Sequence, residues 1–430
     1  MGQSVPEKKA LKFHIKTYGC QMNFRDSEKV YCIMKEKGFV ESSVEDADVV
    51  IINSCAVREK AEVKIYSEIG RIKSVNKNAK IVSMGCVAQY NYKRLKRVSD
   101  FVVGTACIDK FYEIADNLNK KNVYIEDSIG KPDYIFPHNK NINAFVDIMY
   151  GCNNFCTYCI VPFTRGREVS RSRESILDEI KGLVDNGTKE VMLLGQNVNS
   201  YGKNNYGFID LLYDVNKVDG LKRIRFMTSH PKDFSEELIY AIKDLDKLCE
   251  HIHLPLQSGS NKILKLMRRG YTKEEYLEKV YKYKDVVKNG SITTDIIVGF
   301  PNETDEDFKE TLEVVKNVEY DTSFSFKYSK RPLTKAKDME NQVDEKIKLE
   351  RLNILQKLQA ETTQRKNQSA LGRVFRVLVE GISKRKDGLS GRNRQNTVVN
   401  FNFKDSIKVG DEVDVKITKS LKHSLVGEAL

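Results

Sequence analysis

The sequence predicts an α/β multidomain protein: an N-terminal parallel α/β domain, a partial (β/α)6 barrel and a small C-terminal β-barrel. Three observations carry this. Up to about residue 125, short apolar runs alternate with helical patterns, which argues for a parallel sheet with helices packed on it. From about 140 to 330 the alternation resumes with six strand candidates, enough for a barrel that does not fully close. From Arg373 the pattern changes to short alternating runs separated by Gly-containing turns, as in small closed barrels. A chain of 430 residues has room for two or three such domains.

In the first region Lys12 to Thr17, Asp48 to Asn53, Lys80 to Met84 and Phe101 to Val103 read as strands. Arg25 to Lys37, Glu59 to Ser74 and Asn91 to Val98 read as helices. Cys20 follows the first strand, Cys55 the second and Cys86 the third, in steps of 35 and 31 residues. Each step is one βα repeat, and parallel strands all end at one edge. The three thiols are therefore expected together at the carboxyl edge, where open α/β sheets bind ligands. Their neighbours, Tyr18-Gly19-Cys20-Gln21-Met22-Asn23, Asn53-Ser54-Cys55-Ala56 and Gly85-Cys86-Val87-Ala88-Gln89, predict loops in which glycine permits close backbone approach. The competing reading is three ordinary half-buried cysteines.

In the second region the strand candidates are Phe145–Tyr150, Glu190–Gly195, Arg223–Ser229, His251–Leu256, Ser291–Val298 and Thr322–Tyr328. Helices are expected at Arg173–Asn186, Ser235–Leu245, Lys273–Lys288 and Asp305–Val318. Directly after the first strand comes Gly151-Cys152-Asn153-Asn154-Phe155-Cys156-Thr157-Tyr158-Cys159. Three thiolates within eight residues can wrap one face of a metal cluster, and no fourth Cys or His lies nearby in sequence to close the site. An open metal position is what catalysis needs. A structural zinc site with a distant fourth ligand is the competing reading. Gln196 and Asn197 after the second strand are candidate cosubstrate contacts. Cys32, Cys107 and Cys249 read as core thiols, and His230 and His253 as structural hydrogen-bonding residues. A polar helix from Asn341 to about Gln368, with Val343, Ile347, Leu352, Leu355 and Leu358 as its apolar stripe, is expected to connect this barrel to the C-terminal region.

The third region has strand candidates Val374–Val379, Thr397–Phe403 and Glu412–Thr418. Its last 62 residues hold 12 Lys/Arg against 7 Asp/Glu, a net +5 within a chain total of +12. A basic balance favours polyanionic partners. Arg392, Arg394 and Lys384 to Lys386 flank Phe375, Phe401 and Phe403, and arginine beside aromatics suits stacked bases and phosphates. Met1 to Lys16 is polar and has no signal-peptide core, and Pro6 breaks the myristoylation pattern. No apolar run is long enough to span a membrane. A cytoplasmic protein with no membrane partner is expected, in which clustered cysteines read as metal ligands before disulfides.

The run Cys152-x3-Cys156-x-Tyr158-Cys159 resembles the radical S-adenosylmethionine signature, including its aromatic position. The chain as a whole is similar to the methylthiotransferases of that superfamily. Thr17-Tyr18-Gly19-Cys20-Gln21-Met22-Asn23, Asn53-Ser54-Cys55 and Gly85-Cys86 resemble their N-terminal cluster motifs. The segments from Val161 to Glu168, from His253 to Ser260 and from Asp295 to Pro301 resemble their barrel motifs, and the C-terminal segment their TRAM-like RNA-binding domain. Gly151 to Phe155 and Gly391 to Asn396 are most similar to the branch that modifies N6-dimethylallyladenosine. One departure is Arg331-Pro332-Leu333-Thr334, with Leu where relatives usually carry Gly.

The resemblance implies an N-terminal methylthiotransferase domain over 10–127, a radical S-adenosylmethionine core over 138–368 and a TRAM-like domain over 369–430. It implies two [4Fe–4S] clusters, one on Cys152, Cys156 and Cys159 and one on Cys20, Cys55 and Cys86, together with S-adenosylmethionine. The first cluster would cleave S-adenosylmethionine to a 5′-deoxyadenosyl radical, and the second would hold the sulfur to be transferred. Tyr158 would lie against the adenine of the cosubstrate, and Gln196, Asn197, Gln257 and Asp295 are the further cosubstrate candidates. No protein acid or base is expected to be catalytic. The implied reaction is methylthiolation of C2 of N6-dimethylallyladenosine beside the anticodon of a tRNA. Arg392 and Arg394 would contact the RNA, and a flavodoxin or ferredoxin would donate electrons. Threonylcarbamoyl-adenosine in tRNA and an aspartate of a ribosomal protein are the alternative substrates. An iron–sulfur RNA-binding redox sensor is the non-enzymatic alternative.

Overall fold

A computed structural model describes residues 10–56, 59–203 and 205–430. They form two compact units. The first runs to Asn139 and also takes Tyr150–Asn153 and Cys159–Val169; the second comprises Lys140–Met149, Asn154–Tyr158 and Ser170–Leu430.

The first unit holds a six-stranded parallel sheet of β1 (Lys12–Tyr18), β2 (Val40–Glu41), β3 (Val49–Ser54), β4 (Lys80–Gly85), β5 (Phe101–Val103) and β6 (Asn122–Tyr124), in the order β2-β1-β3-β4-β5-β6. Between them run α1 (Gln21–Glu36), α2 (Glu59–Val75) and α3 (Cys86–Leu95). β3 is a Val-Val-Ile-Ile run buried throughout, as a strand covered on both faces must be. One core cluster packs Phe13, Ile33, Ile51 and Phe111, and a second packs Val50, Ile65, Ile81 and Val87. The alternation of sides along β3 feeds both.

Two helix starts differ from expectation. α1 begins at Gln21, four residues before the expected Arg25, with Cys20 as its cap residue. α3 begins at Cys86 itself, where a loop was expected, and bends at Asn91, which has non-helical backbone angles. The bend marks where the sequence placed a helix start. Cys20 and Cys86 are thus fixed by helix termini.

The second unit contains two three-stranded parallel sheets. One is Asn143–Asp147, Glu190–Leu194 and Arg223–Phe226; the other is His251–His253, Ser291–Val298 and Thr322–Lys327. Residues around Leu248 bridge to Ile224 and join the two in series, giving six parallel strands in chain order, a partial (β/α)6 barrel. The strands of the third and fourth positions end earlier than expected, at Phe226 and His253. Beyond these ends the chain leaves the ladder for irregular backbone, with φ of +72° at Thr228 and +69° at Gln257. A helix at Phe208–Asn216 was not anticipated.

The connecting helix spans Glu345–Gln368. Leu355 is buried and Leu352 and Leu358 pack against the core, but Ile347 is exposed. The inward face is instead largely polar: Arg351 donates to Glu303 and Asp305, each at 2.8 Å. The C-terminal domain is a closed five-stranded barrel of Val374–Ile382, Leu389–Asn393, Val398–Phe401, Leu425–Ala429 and Glu412–Ser420 in that spatial order. The second and fourth of these were not anticipated. Gly391 interrupts the first of them, at a point where a side chain would collide with the Leu378 carbonyl across the ladder. Among the described residues no helix is long and apolar enough to cross a membrane.

Candidate active site

Register brings the N-terminal thiols together. Tyr18 pairs with Ser54 and Ser54 with Gly85, so three strand ends stand abreast. Cys20 lies two residues past its strand end, Cys55 and Cys86 one. The strand order reverses between β1 and β3, and such a switch point is where doubly wound sheets hold ligands.

Local packing explains the residues around each thiol. Asn23 Nδ2 donates to Asn53 Oδ1 at 2.9 Å, and Asn53 Nδ2 donates to Asn23 O at 2.8 Å and Ser27 Oγ at 2.9 Å. This buried amide pair ties the Cys20 turn to the Cys55 turn. Gly85, at φ +93°, comes so close to the Asn53 amide that a side chain there would overlap it. Cys20 Sγ lies 3.4 Å from Asn23 Oδ1. A hydrogen bond with Cys55 and the nearby charge of Arg165 bring the Cys20 thiol down to about 6 against the opposing effect of burial. Burial pushes Cys86 up, and Arg165 again opposes it. Arg165 itself is anchored to Asp26 at 2.7 Å. A buried cation beside Cys20 and Cys86 favours their thiolates, the form that binds metal. Cys32 and Cys107 are pushed by burial up to about 11 and about 12, and burial also raises Cys249. These three thiols sit outside the array.

Cys152 and Cys159 belong to the first unit and Cys156 to the second. Cys152 N donates to Gly166 O at 3.2 Å. In the second unit Cys156 Sγ accepts from Arg269 Nη1 at 3.4 Å, and the Tyr158 hydroxyl accepts from the same nitrogen at 3.4 Å. Thr157 binds Met267 O and Leu266 O through its amide and hydroxyl. Within the second unit, Cys156 to Tyr158 is thus held by the end of helix Asn261–Leu266 and the segment after it, which the sequence did not single out. The Tyr158 ring meets Phe300 edge-on at 6.5 Å between centroids.

At the carboxyl ends of the second and third barrel strands lies a group of buried polar atoms that find no partner among the described residues: Gln196 Oε1, Asn197 Oδ1, Asn199 Oδ1, Ser229 Oγ and His230 Nε2. Asn197 Nδ2 donates to the Asp233 carboxylate at 2.7 Å and Asn199 Nδ2 to the Asp233 carbonyl at 3.4 Å. Those partners only accept, so both amide oxygens are fixed as acceptors. His230 Nδ1 accepts from Lys232 N at 3.2 Å. Burial, with Arg269's charge, pushes this imidazole down to about 2, so it is neutral and carries its proton on Nε2. His253 is different: its nitrogens meet Thr293 Oγ1 at 2.9 Å and Asp295 Oδ2 at 3.2 Å, the structural role expected. Gln257 is buried, and its backbone pairs with Asp295 O and Ile297 N.

Both donor sets fit a soft metal cluster, being all thiol. Among the described residues no three His, Cys, Asp or Glu side chains stand close enough to share one ion. Thiolates of a four-iron cluster bind different irons and need not. The unpartnered acceptors and the Nε2–H donor fit a polar ligand such as the amino-acid end of S-adenosylmethionine.

Arg392 and Arg394 lie in the C-terminal barrel. Arg394 Nε donates to both oxygens of Glu250 at 2.8 and 2.9 Å, and its two terminal nitrogens donate to the carbonyls of Asp246 and Leu248. Its guanidinium is taken up by the (β/α)6 barrel. Arg392 is more open, with Asn396 O at 3.2 Å and Glu380 at 3.4 Å.

Three family models match the chain. Residues 146–315 match the Radical SAM superfamily, 12–104 the family described as Uncharacterized protein family UPF0004, and 368–430 the TRAM domain. Relatives called tRNA-2-methylthio-N(6)-dimethylallyladenosine synthase include one from Caldicellulosiruptor saccharolyticus, 47% identical over 97% of this chain and 92% of its own. Another, from Clostridium tetani, is 49% identical over 97% of this chain and 96% of its own. Among solved structures, a radical S-adenosylmethionine methyltransferase from Kitasatospora setae superposes with a TM-score of 0.57 over 76% of this chain and 77% of its own, at 12% identity, a likeness of fold alone. The Radical SAM superfamily match implies a [4Fe–4S] cluster and S-adenosylmethionine. With its thiol triplet at a barrel strand end, its second thiol array on a parallel sheet and its closed C-terminal barrel, the chain belongs to the tRNA-2-methylthio-N(6)-dimethylallyladenosine synthase family of radical S-adenosylmethionine methylthiotransferases.

Proposed function

We propose that this chain methylthiolates C2 of N6-dimethylallyladenosine beside the anticodon of a tRNA, using two [4Fe–4S] clusters and two molecules of S-adenosylmethionine. The observation that carries the reading is near-full-length similarity to synthases of that name together with two separate sets of three thiols. When bound, the clusters and S-adenosylmethionine would supply the electron, the sulfur and the methyl group. The C2–H of adenine is unactivated, which is why cofactor chemistry replaces an acid–base pair.

The chain's own residues then have these roles. Cys152, Cys156 and Cys159 would hold one cluster through their three sulfurs. Asn197, with Gln196, accepts from the ammonium of the cosubstrate, Tyr158 lies against its adenine, and Gln257 and Asp295 bound the pocket. Cys20, Cys55 and Cys86 would hold the second cluster, with Arg165 favouring the thiolate forms of Cys20 and Cys86. The basic C-terminal barrel takes the RNA, and Arg392 provides a phosphate contact. A flavodoxin or ferredoxin in the cytoplasm supplies electrons. The target base lies in a loop, so little pairing has to be broken to reach it.

Mass spectrometry of tRNA nucleosides from a deletion strain tests the substrate. N6-dimethylallyladenosine should accumulate without its methylthio derivative, and the chain should restore the derivative on return. Accumulation of unmodified threonylcarbamoyl-adenosine would reassign the substrate. Cys156→Ala should abolish 5′-deoxyadenosine formation; unchanged formation would overturn the assignment of the triplet.

A further inference from the structure

Arg269 carries a buried guanidinium just beyond helix Asn261–Leu266. Besides Cys156 Sγ and the Tyr158 hydroxyl, it reaches the Tyr271 hydroxyl from Nε at 3.2 Å and Pro255 O from Nη2 at 3.2 Å. The Tyr271 ring lies 5.3 Å from the guanidinium carbon. Among the described residues no carboxylate pairs with it. Two hydroxyls and a carbonyl satisfy its N–H groups but bring no negative charge. A buried cation without a counter-charge is costly, and arginine cannot shed its proton. The sulfur of Cys156 lies 3.4 Å from Arg269 Nη1, and a cluster bound there would bring the negative charge. The Pro255 and Tyr271 bonds fix the guanidinium plane so that Nη1 faces that sulfur.

We propose that Arg269 is a positioning residue for the barrel cluster, donating to Cys156 sulfur and holding a fixed positive charge that raises the cluster's reduction potential. This rests on the reading that Cys152, Cys156 and Cys159 bind a [4Fe–4S] cluster. Reduction brings in one electron from an external donor; no bond forms or breaks and no proton moves. The cluster gains one unit of negative charge, which a fixed cation stabilises. Cluster charge and hydrogen bonds to sulfur are two of the determinants of such potentials.

The test uses the full chain with Cys20, Cys55 and Cys86 replaced by Ala, so that one site remains, reconstituted anaerobically with iron and sulfide. Redox titration followed by electron paramagnetic resonance compares this parent with Arg269→Lys and Arg269→Gln. At the poise where the parent is half reduced, Arg269→Gln should show a reduced-to-oxidised ratio at least about tenfold lower, which is about 59 mV for a one-electron couple. Arg269→Lys, which keeps the charge, should recover most of the ratio. Loss of the cluster in Arg269→Gln alone would also support the role of the charge. Equal ratios in all three proteins, equal shifts in Lys and Gln, or loss of the cluster from both variants would overturn the inference. A parent that binds no four-iron cluster would overturn the reading beneath it, a result told apart by iron content alone.

Discussion

Leu333 holds a left-handed backbone, φ +67°, with its side chain largely exposed. The family resemblance leads one to expect glycine at this position, and a leucine in the left-handed region carries strain. An L-residue there loses about 1 to 2 kcal/mol, and glycine's looser unfolded chain returns about half of that. Leu333→Gly should therefore raise stability by about 0.5 to 1 kcal/mol, read from the urea midpoint. Leu333→Ile should lower it, because β-branching crowds that region further. At the thiol array, Cys55→Ala should remove about four irons per chain and stop methylthio-adenosine formation while leaving 5′-deoxyadenosine formation intact. Iron assay and product analysis check both. The six candidate cysteines stood out in the sequence because their spacing is local or in phase with the βα repeat. Arg165 and Arg269 were not, because what defines them is a partner 139 or 113 residues away in the chain.

Among the elements, helix Asp305–Val318 shows how a start signal is read. Thr304 and Asp307 form a reciprocal capping box, and Asp307 also accepts from Ser260 at 2.6 Å and Lys262 at 2.7 Å. Burial disfavours the Asp307 carboxylate, but those bonds outweigh it and bring the group down to about 2. A depressed carboxyl stabilises the fold above its unfolded pKa of about 4 and loses that contribution as pH falls through the folded value. Asp307→Asn should cost about 1 to 2 kcal/mol at neutral pH. The gap from the parent should close as pH drops from about 4 to 2, measured by denaturant unfolding across that range. Elements with such caps or unbroken apolar runs, like β3 and this helix, were legible nearly to the residue. Leu389–Asn393 and Leu425–Ala429 were not, since a glycine sits in each and breaks the alternation. The polar part of the inward face of helix Glu345–Gln368 was hidden for a related reason: Arg351 is buried with its ion partners Glu303 and Asp305, which periodicity cannot see.

For the molecule's second unit, the C-terminal barrel is gripped from the (β/α)6 barrel by arginines. Arg223 donates to Glu412 at 2.7 Å and to the carbonyls of Arg392 and Arg376 at 2.6 and 3.0 Å. Arg225 donates to the carbonyls of Arg394 and Asn393 at 2.9 and 2.7 Å, and Arg394 answers with Glu250. Charged hydrogen bonds of this kind contribute about 1.5 to 3 kcal/mol each. Arg392→Ala should weaken tRNA binding and flatten log K against log[salt] by roughly 0.7 to 0.9, one phosphate contact. Arg394→Ala should leave that slope nearly unchanged and instead speed proteolysis between Gln368 and Val374, because it loosens the grip. Binding isotherms at several salt concentrations and a timed digest separate the two. The grip also acts as a ruler. If the proposed RNA is held on the C-terminal barrel, it would meet the (β/α)6 barrel at a set offset, so the nucleotide to be modified would be chosen by its distance along the bound strand as much as by its own chemistry.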